Sequence, residues 1–67
     1  MTPLAQLIEA ALFAAARPLT AEELCVLDPD ASLADVRTAL EQLREVYDFS
    51  QHAIELVEMA GGFQLLT

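Results

Sequence analysis

The chain has 67 residues and a formal net charge of -8, from three arginines and no lysines against eleven acids, yet 55% of it is hydrophobic. A chain this hydrophobic folds rather than staying disordered. At this length it buries only about 60% of the surface that its unfolded form exposes, so apolar surface is left over for a partner chain. The acid excess argues against nucleic acid and against anionic membrane surfaces, because both are held by basic patches. The single cysteine, Cys25, excludes an intramolecular disulfide and a Cys-rich metal site, and fits a reducing cytoplasm. Ala14-Ala15-Ala16 resembles a signal-peptide cleavage site, but no cation precedes Arg17 and Glu9 interrupts the apolar stretch. No apolar run reaches the roughly 18 residues that a membrane span needs.

Thr2-Pro3 predicts a helix start: a capping hydroxyl, then proline at the first helical position, where its missing N–H costs nothing. Leu4, Leu7, Ile8, Ala11, Leu12 and Ala15 recur at helical spacing as one buried face, and Arg17-Pro18 ends the run, giving a helix over residues 3 to 16. Thr20-Ala21-Glu22-Glu23 is a capping box that opens a short second helix with Leu24 and Leu27 inward. Asp28-Pro29-Asp30-Ala31 breaks it. Ser32-Leu33-Ala34-Asp35 repeats the box with Asp in place of Glu and starts a third helix whose core face is Leu33, Val36, Leu40, Leu43 and Tyr47. The second and third helices read as a helix-turn-helix.

After Asp48 the period changes. Ile54 to Met59 is rich in β-branched and apolar residues, Gly61-Gly62 supplies a turn, and Phe63 to Leu66 returns as a second strand. Three helices followed by a two-stranded wing make a mainly α winged helix-turn-helix, read as a single domain over residues 1–67. The chain stops at Thr67 directly after the second strand without a closing signal, which reads as the N-terminal part of a longer protein cut at a domain boundary.

Winged helices commonly bind DNA through the third helix, so its outward positions are decisive. Here they are Ala34, Asp35, Thr38, Glu41, Gln42 and Glu45, and three acids facing a polyanion repel it. Arg37 and Arg44 flank the core face, and Glu41, four residues after Arg37, is placed to pair with it. No Lys or Arg lies between Asp48 and Thr67, so the wing adds no cation.

Asp28, Asp30 and Ser32 occupy the first, third and fifth positions of a calcium loop, but Leu33 replaces the glycine and Ala39 the final Glu of that pattern. Turn formation and helix capping account for all three. His52 has no second ligand nearby, and Ser50 and Cys25 have no base placed by the sequence, so no catalytic or metal site is expected. Cys25, between Leu24 and Val26, reads as a small core residue.

One feature resists a purely structural reading. Phe13 projects on the side of the first helix that carries Gln6 and Glu9, opposite the leucine stripe, with Ala10 and Ala14 bordering it. Small residues beside an aromatic let another backbone approach closely. These five residues are either a self-association surface or are covered by the wing or a C-terminal segment.

Glu9 to Ala14, Arg17 to Leu24, and Ile54-Glu55-Leu56-Val57-Glu58-Met59-Ala60-Gly61-Gly62-Phe63-Gln64-Leu65 together resemble the N-terminal domain of segregation and condensation protein B. Leu40 to Glu45 is also similar to the family's pattern, and the Glu-Leu-Val-Glu-x-Ala-Gly-Gly-aromatic hairpin is the specific part. The family usually has Gly-Glu before its Pro-Leu, where this chain has Ala16-Arg17, and commonly Tyr-Arg where it has Phe63-Gln64. Family members carry two winged-helix domains.

The resemblance implies a non-catalytic, cofactor-free subunit of the bacterial structural-maintenance-of-chromosomes complex, cytoplasmic and associated with the nucleoid through that complex. It implies a homodimer that holds the kleisin subunit, segregation and condensation protein A, and through it reaches the ATPase, with chromosome condensation and partition as the outcome. The alternative from the fold alone is the DNA-binding domain of a transcriptional regulator.

Overall fold

A computed structural model of the chain describes residues 1–50 and 53–67. The lone imidazole of His52 and the side chain of Ser50 lie outside the described residues. The first helix, α1 (Pro3–Ala14), is capped by Thr2, whose Oγ1 accepts from the Ala5 N–H at 3.1 Å. It ends two residues earlier than the sequence predicts. Ala15 is already extended, because the chain must turn before Pro18 to lay a two-residue strand, β1 (Leu19–Thr20), beside the wing.

The second helix, α2 (Ala21–Cys25), starts with the predicted capping box: Thr20 Oγ1 accepts from Glu23 N–H, and Glu23 Oε1 accepts from Thr20 N–H, both at 3.0 Å. Because α2 stops at Cys25, Leu27 falls in a turn and is exposed rather than inward. Asp28 Oδ1 accepts from Asp30 N–H at 3.0 Å and closes a turn, as the sequence predicts. Ser32 and Asp35 form the second reciprocal box, again at 3.0 Å on both sides, at the start of α3 (Leu33–Ser50). Leu33, predicted as core, is 39% exposed in the first turn, and Ala39 is buried beside Val36, Leu40, Leu43 and Tyr47.

The wing is β2 (Glu55–Met59) and β3 (Gly62–Leu66), paired antiparallel from Glu55↔Leu66 to Met59↔Gly62. Its two-residue turn is Ala60-Gly61, with φ of 51° and 79°, not the expected Gly61-Gly62. Positive φ at both central residues matches the twist of the flanking strands. Gly62 instead serves packing inside β3, since a Cβ there would lie 2.8 Å from Pro18 Cβ. That close approach lets β1 add to β3, at Leu19↔Phe63 and Thr20↔Gly62, making a three-stranded sheet of order β1-β3-β2.

One core joins the layers. Ala5, Ile8 and Leu12 of α1, Ala21 and Leu24 of α2, the buried face of α3, and Leu56 and Phe63 of the wing pack together. No buried polar side chain stands without a partner among the described residues. The architecture is a winged helix.

Candidate interaction surface

Helix α1 is apolar nearly all round, a pattern expected of a helix enclosed on every side. Its inward face is Ala5, Ile8 and Leu12, with Leu4 and Ala11 packed against the core from the flank. Leu7, predicted as part of the buried stripe, is 42% exposed and joins the outer face. Phe13 is 56% exposed, so the wing does not cover it, and Gln6, Ala10 and Ala14 are exposed around it. Of the five residues singled out from the sequence, four therefore share one open surface.

Glu9 is different. It is half-buried at the border of that surface, and its Oε2 accepts from the Tyr47 hydroxyl of α3 at 2.5 Å. Burial, then this bond and the nearby carboxylate charge, push the Tyr47 phenol up to about 12. Glu9 thus fixes α1 against α3 and sets the edge of the outer face. On α1, Leu7 departs from the predicted stripe: in a helix apolar on all sides, spacing alone does not tell which leucine meets the core.

The outward side of α3 carries Asp35, Thr38, Glu41 and Glu45 exposed, as predicted. The expected Arg37–Glu41 pair is absent; Glu41 Oε1 instead lies 3.6 Å from Arg44 Nη1, and both side chains are well exposed. Pairs in such a setting contribute little, about 0–0.5 kcal/mol. Between α3 and the wing lies a cavity of about 130 Å³ lined by Arg37, Leu40, Glu41, Arg44, Leu56, Glu58 and Phe63. A second exposed apolar cluster, Met1, Val46 and Phe49, sits on α3 and the start of the chain.

Arg17 is the remaining cation. Its guanidinium grips Glu23 with two bonds, Nη1 to Oε1 at 3.1 Å and Nη2 to Oε2 at 2.6 Å, and also donates to the Pro18 carbonyl. This bond and the Thr20 N–H hold the Glu23 carboxyl down at about 2. Arg17 and the capping box thereby clamp the turn that presents β1. No group of three or more His, Cys, Asp or Glu among the described residues is arranged to hold a metal, and no helix is long and apolar enough to cross a membrane.

Comparison with known proteins places this arrangement. The "Segregation and condensation protein B homolog" of Coxiella burnetii is 40% identical over 60 residues, which cover 85% of this chain and 28% of the relative. The chain thus spans under a third of that relative's length. Among solved structures, the dimer of the ScpB N-terminal domain complexed with an ScpA peptide superposes with a TM-score of 0.87 at 29% identity, over 97% of this chain and 80% of that one. ScpB from Mycobacterium tuberculosis gives a TM-score of 0.85 at 22% identity over 96% of this chain and 39% of that chain, a likeness of fold. The family model for segregation and condensation complex subunit ScpB matches residues 6–67, nearly the whole sequence, and the chain belongs to that family.

Proposed function

We propose that this chain is a non-catalytic, homodimerising winged-helix module that docks a kleisin-type segment of an ScpA protein. Through that segment it is joined to the structural-maintenance-of-chromosomes ATPase, acting in chromosome condensation and partition in the cytoplasm, at the nucleoid. The observation that carries this reading is the outer face of α1. Leu7, Ala10, Phe13 and Ala14 form an exposed apolar surface with only Gln6 interposed, and Glu9 borders it. Small residues flanking an aromatic anchor suit close helix-to-helix contact, and aromatic anchors carry a large share of interface energy. The solved ScpB N-terminal domain that is similar to this chain is itself a dimer with an ScpA peptide.

The DNA-binding alternative is disfavoured by Asp35, Glu41 and Glu45 on the surface that a winged helix turns to DNA. The net charge of -8 adds a repulsive field around the whole module. The test is a fluorescence anisotropy titration of a labelled central segment of ScpA from the same genome with the 67-residue chain. Saturable binding is expected, and its absence at high micromolar concentration overturns the kleisin-docking reading.

A further inference from the structure

The cavity between α3 and the wing combines an apolar floor, room for one side chain, a pair of rim cations and an open strand edge. Its floor is apolar, made by Leu40 of α3 with Leu56 and Phe63 of the hairpin. Its volume of about 130 Å³ is some four times the share of one water molecule in the liquid, room for one apolar side chain. Two of the three cations of the chain, Arg37 and Arg44, stand on its rim. Arg44 is engaged by Glu41 at 3.6 Å, whereas Arg37 makes no ion pair among the described residues. Glu58 lines the wing side of the rim.

The cavity also borders an open strand. With the order β1-β3-β2, β2 is an edge strand. The tight Ala60-Gly61 turn makes Met59 and Gly62 the closing hydrogen-bonded pair. Alternation then assigns Val57 and Glu55 to further bonded pairs and directs the N–H and C=O of Leu56 and Glu58 away from β3. No hydrogen bond from another described residue reaches that edge. Open backbone groups of this kind are templates for an added strand.

We propose that the cavity and the β2 edge form one docking site for an extended peptide that adds to β2 through the Leu56 and Glu58 backbone, inserts an apolar side chain over Leu40, Leu56 and Phe63, and sets a carboxylate on Arg37. The occupant is the kleisin-type segment of the proposed function, and the inference rests on that reading. Charge complementarity places a carboxylate of the occupant at Arg37, the one rim cation that no glutamate engages among the described residues. In a chain of net charge -8 this rim carries two arginines against two glutamates, one of them already tied to Arg44. The site lies on the side of α3 and the wing, apart from the outer face of α1, so occupancy and dimerisation are separable.

The test extends the anisotropy titration to Arg37→Glu, with circular dichroism verifying its fold and Phe13→Glu as a second variant. Arg37→Glu is expected to weaken binding at least tenfold. Replacing one acidic residue of the peptide by lysine is expected to restore the binding of Arg37→Glu while weakening that of the unsubstituted chain. On saturation with peptide, the amides of Leu56 and Glu58 are expected to slow in hydrogen exchange. Peptide binding that Arg37→Glu leaves unchanged, or Leu56 and Glu58 amides that stay unprotected in the complex, overturns this site while leaving the proposed function intact. No binding by the unsubstituted chain overturns both.

Discussion

The Tyr47 hydroxyl donates to Glu9 Oε2 at 2.5 Å, joining α3 to α1 across a sequence separation of 38 residues. The bond sits at the border between the core and the outer face of α1, so it fixes the rotation of α1 that leaves Phe13 and Leu7 facing outward. A hydrogen bond to a charged acceptor contributes about 1.5–3 kcal/mol, and Glu9 is only half-buried. Tyr47→Phe is therefore expected to cost about 1–2 kcal/mol. The phenol titrates near 12 in the folded chain against 10 ordinarily, so the folded state holds its proton more tightly. That contribution is complete below pH 10 and is lost as pH rises from about 10 to 12. Urea unfolding across this range measures it: Tyr47→Phe should lose the alkaline decline.

Glu23 gives the opposite dependence. Held at about 2 by Arg17 and the Thr20 N–H, against 4.5 ordinarily, its carboxylate is favoured by the folded state. The contribution is present above about pH 4.5 and falls away as pH drops toward 2. Glu23→Gln is expected to narrow the difference between the urea midpoints measured at pH 6 and pH 3. An undiminished difference would move the acid sensitivity to other carboxylates.

The hairpin separates two roles for glycine. Gly62→Ala drives a methyl group to 2.8 Å from Pro18 Cβ, and overpacking of this kind costs about 1–3 kcal/mol. Because Gly62 is where β1 meets β3, the loss should appear first as faster hydrogen exchange at Leu19 and Phe63. At the turn, Ala60 holds a φ of 51°, which glycine or asparagine tolerates better. Ala60→Asn is expected to raise stability by up to about 1 kcal/mol, read from the urea midpoint.

Leu7 and Phe13 lie on the same open face of α1, so both should matter to self-association and neither to the fold. Phe13→Glu and Leu7→Glu are each expected to weaken the dimer at least tenfold, about 1.4 kcal/mol, with helical circular dichroism unchanged. Loss of helicity in either variant would return that side chain to the core.

The helix-capping signals in the sequence are reliable guides to structure. The Thr2 cap and the boxes at Thr20/Glu23 and Ser32/Asp35 form as predicted because each depends on residues within three positions of one another. Remote relationships were not legible. β1 is two residues long and exists only because Gly62 admits Pro18, which no pattern around Leu19 announces. The Glu9–Tyr47 bond and the exposure of Leu7, Leu27 and Leu33 depend on how helices rotate and end, which periodicity alone leaves open. Helical spacing pairs Arg37 with Glu41, yet Glu41 turns to Arg44 and leaves Arg37 on the rim of the wing cavity. The surface around Phe13 was found from helical projection, and Leu7 enlarges it.

Sedimentation equilibrium of the 67-residue chain, from low to high micromolar concentration, tests the dimer surface most directly. A concentration-dependent dimer that Phe13→Glu converts to monomer is expected. A strict monomer at high micromolar concentration, or a dimer that Phe13→Glu leaves unchanged, contradicts the assignment of the outer face of α1 as the self-association surface.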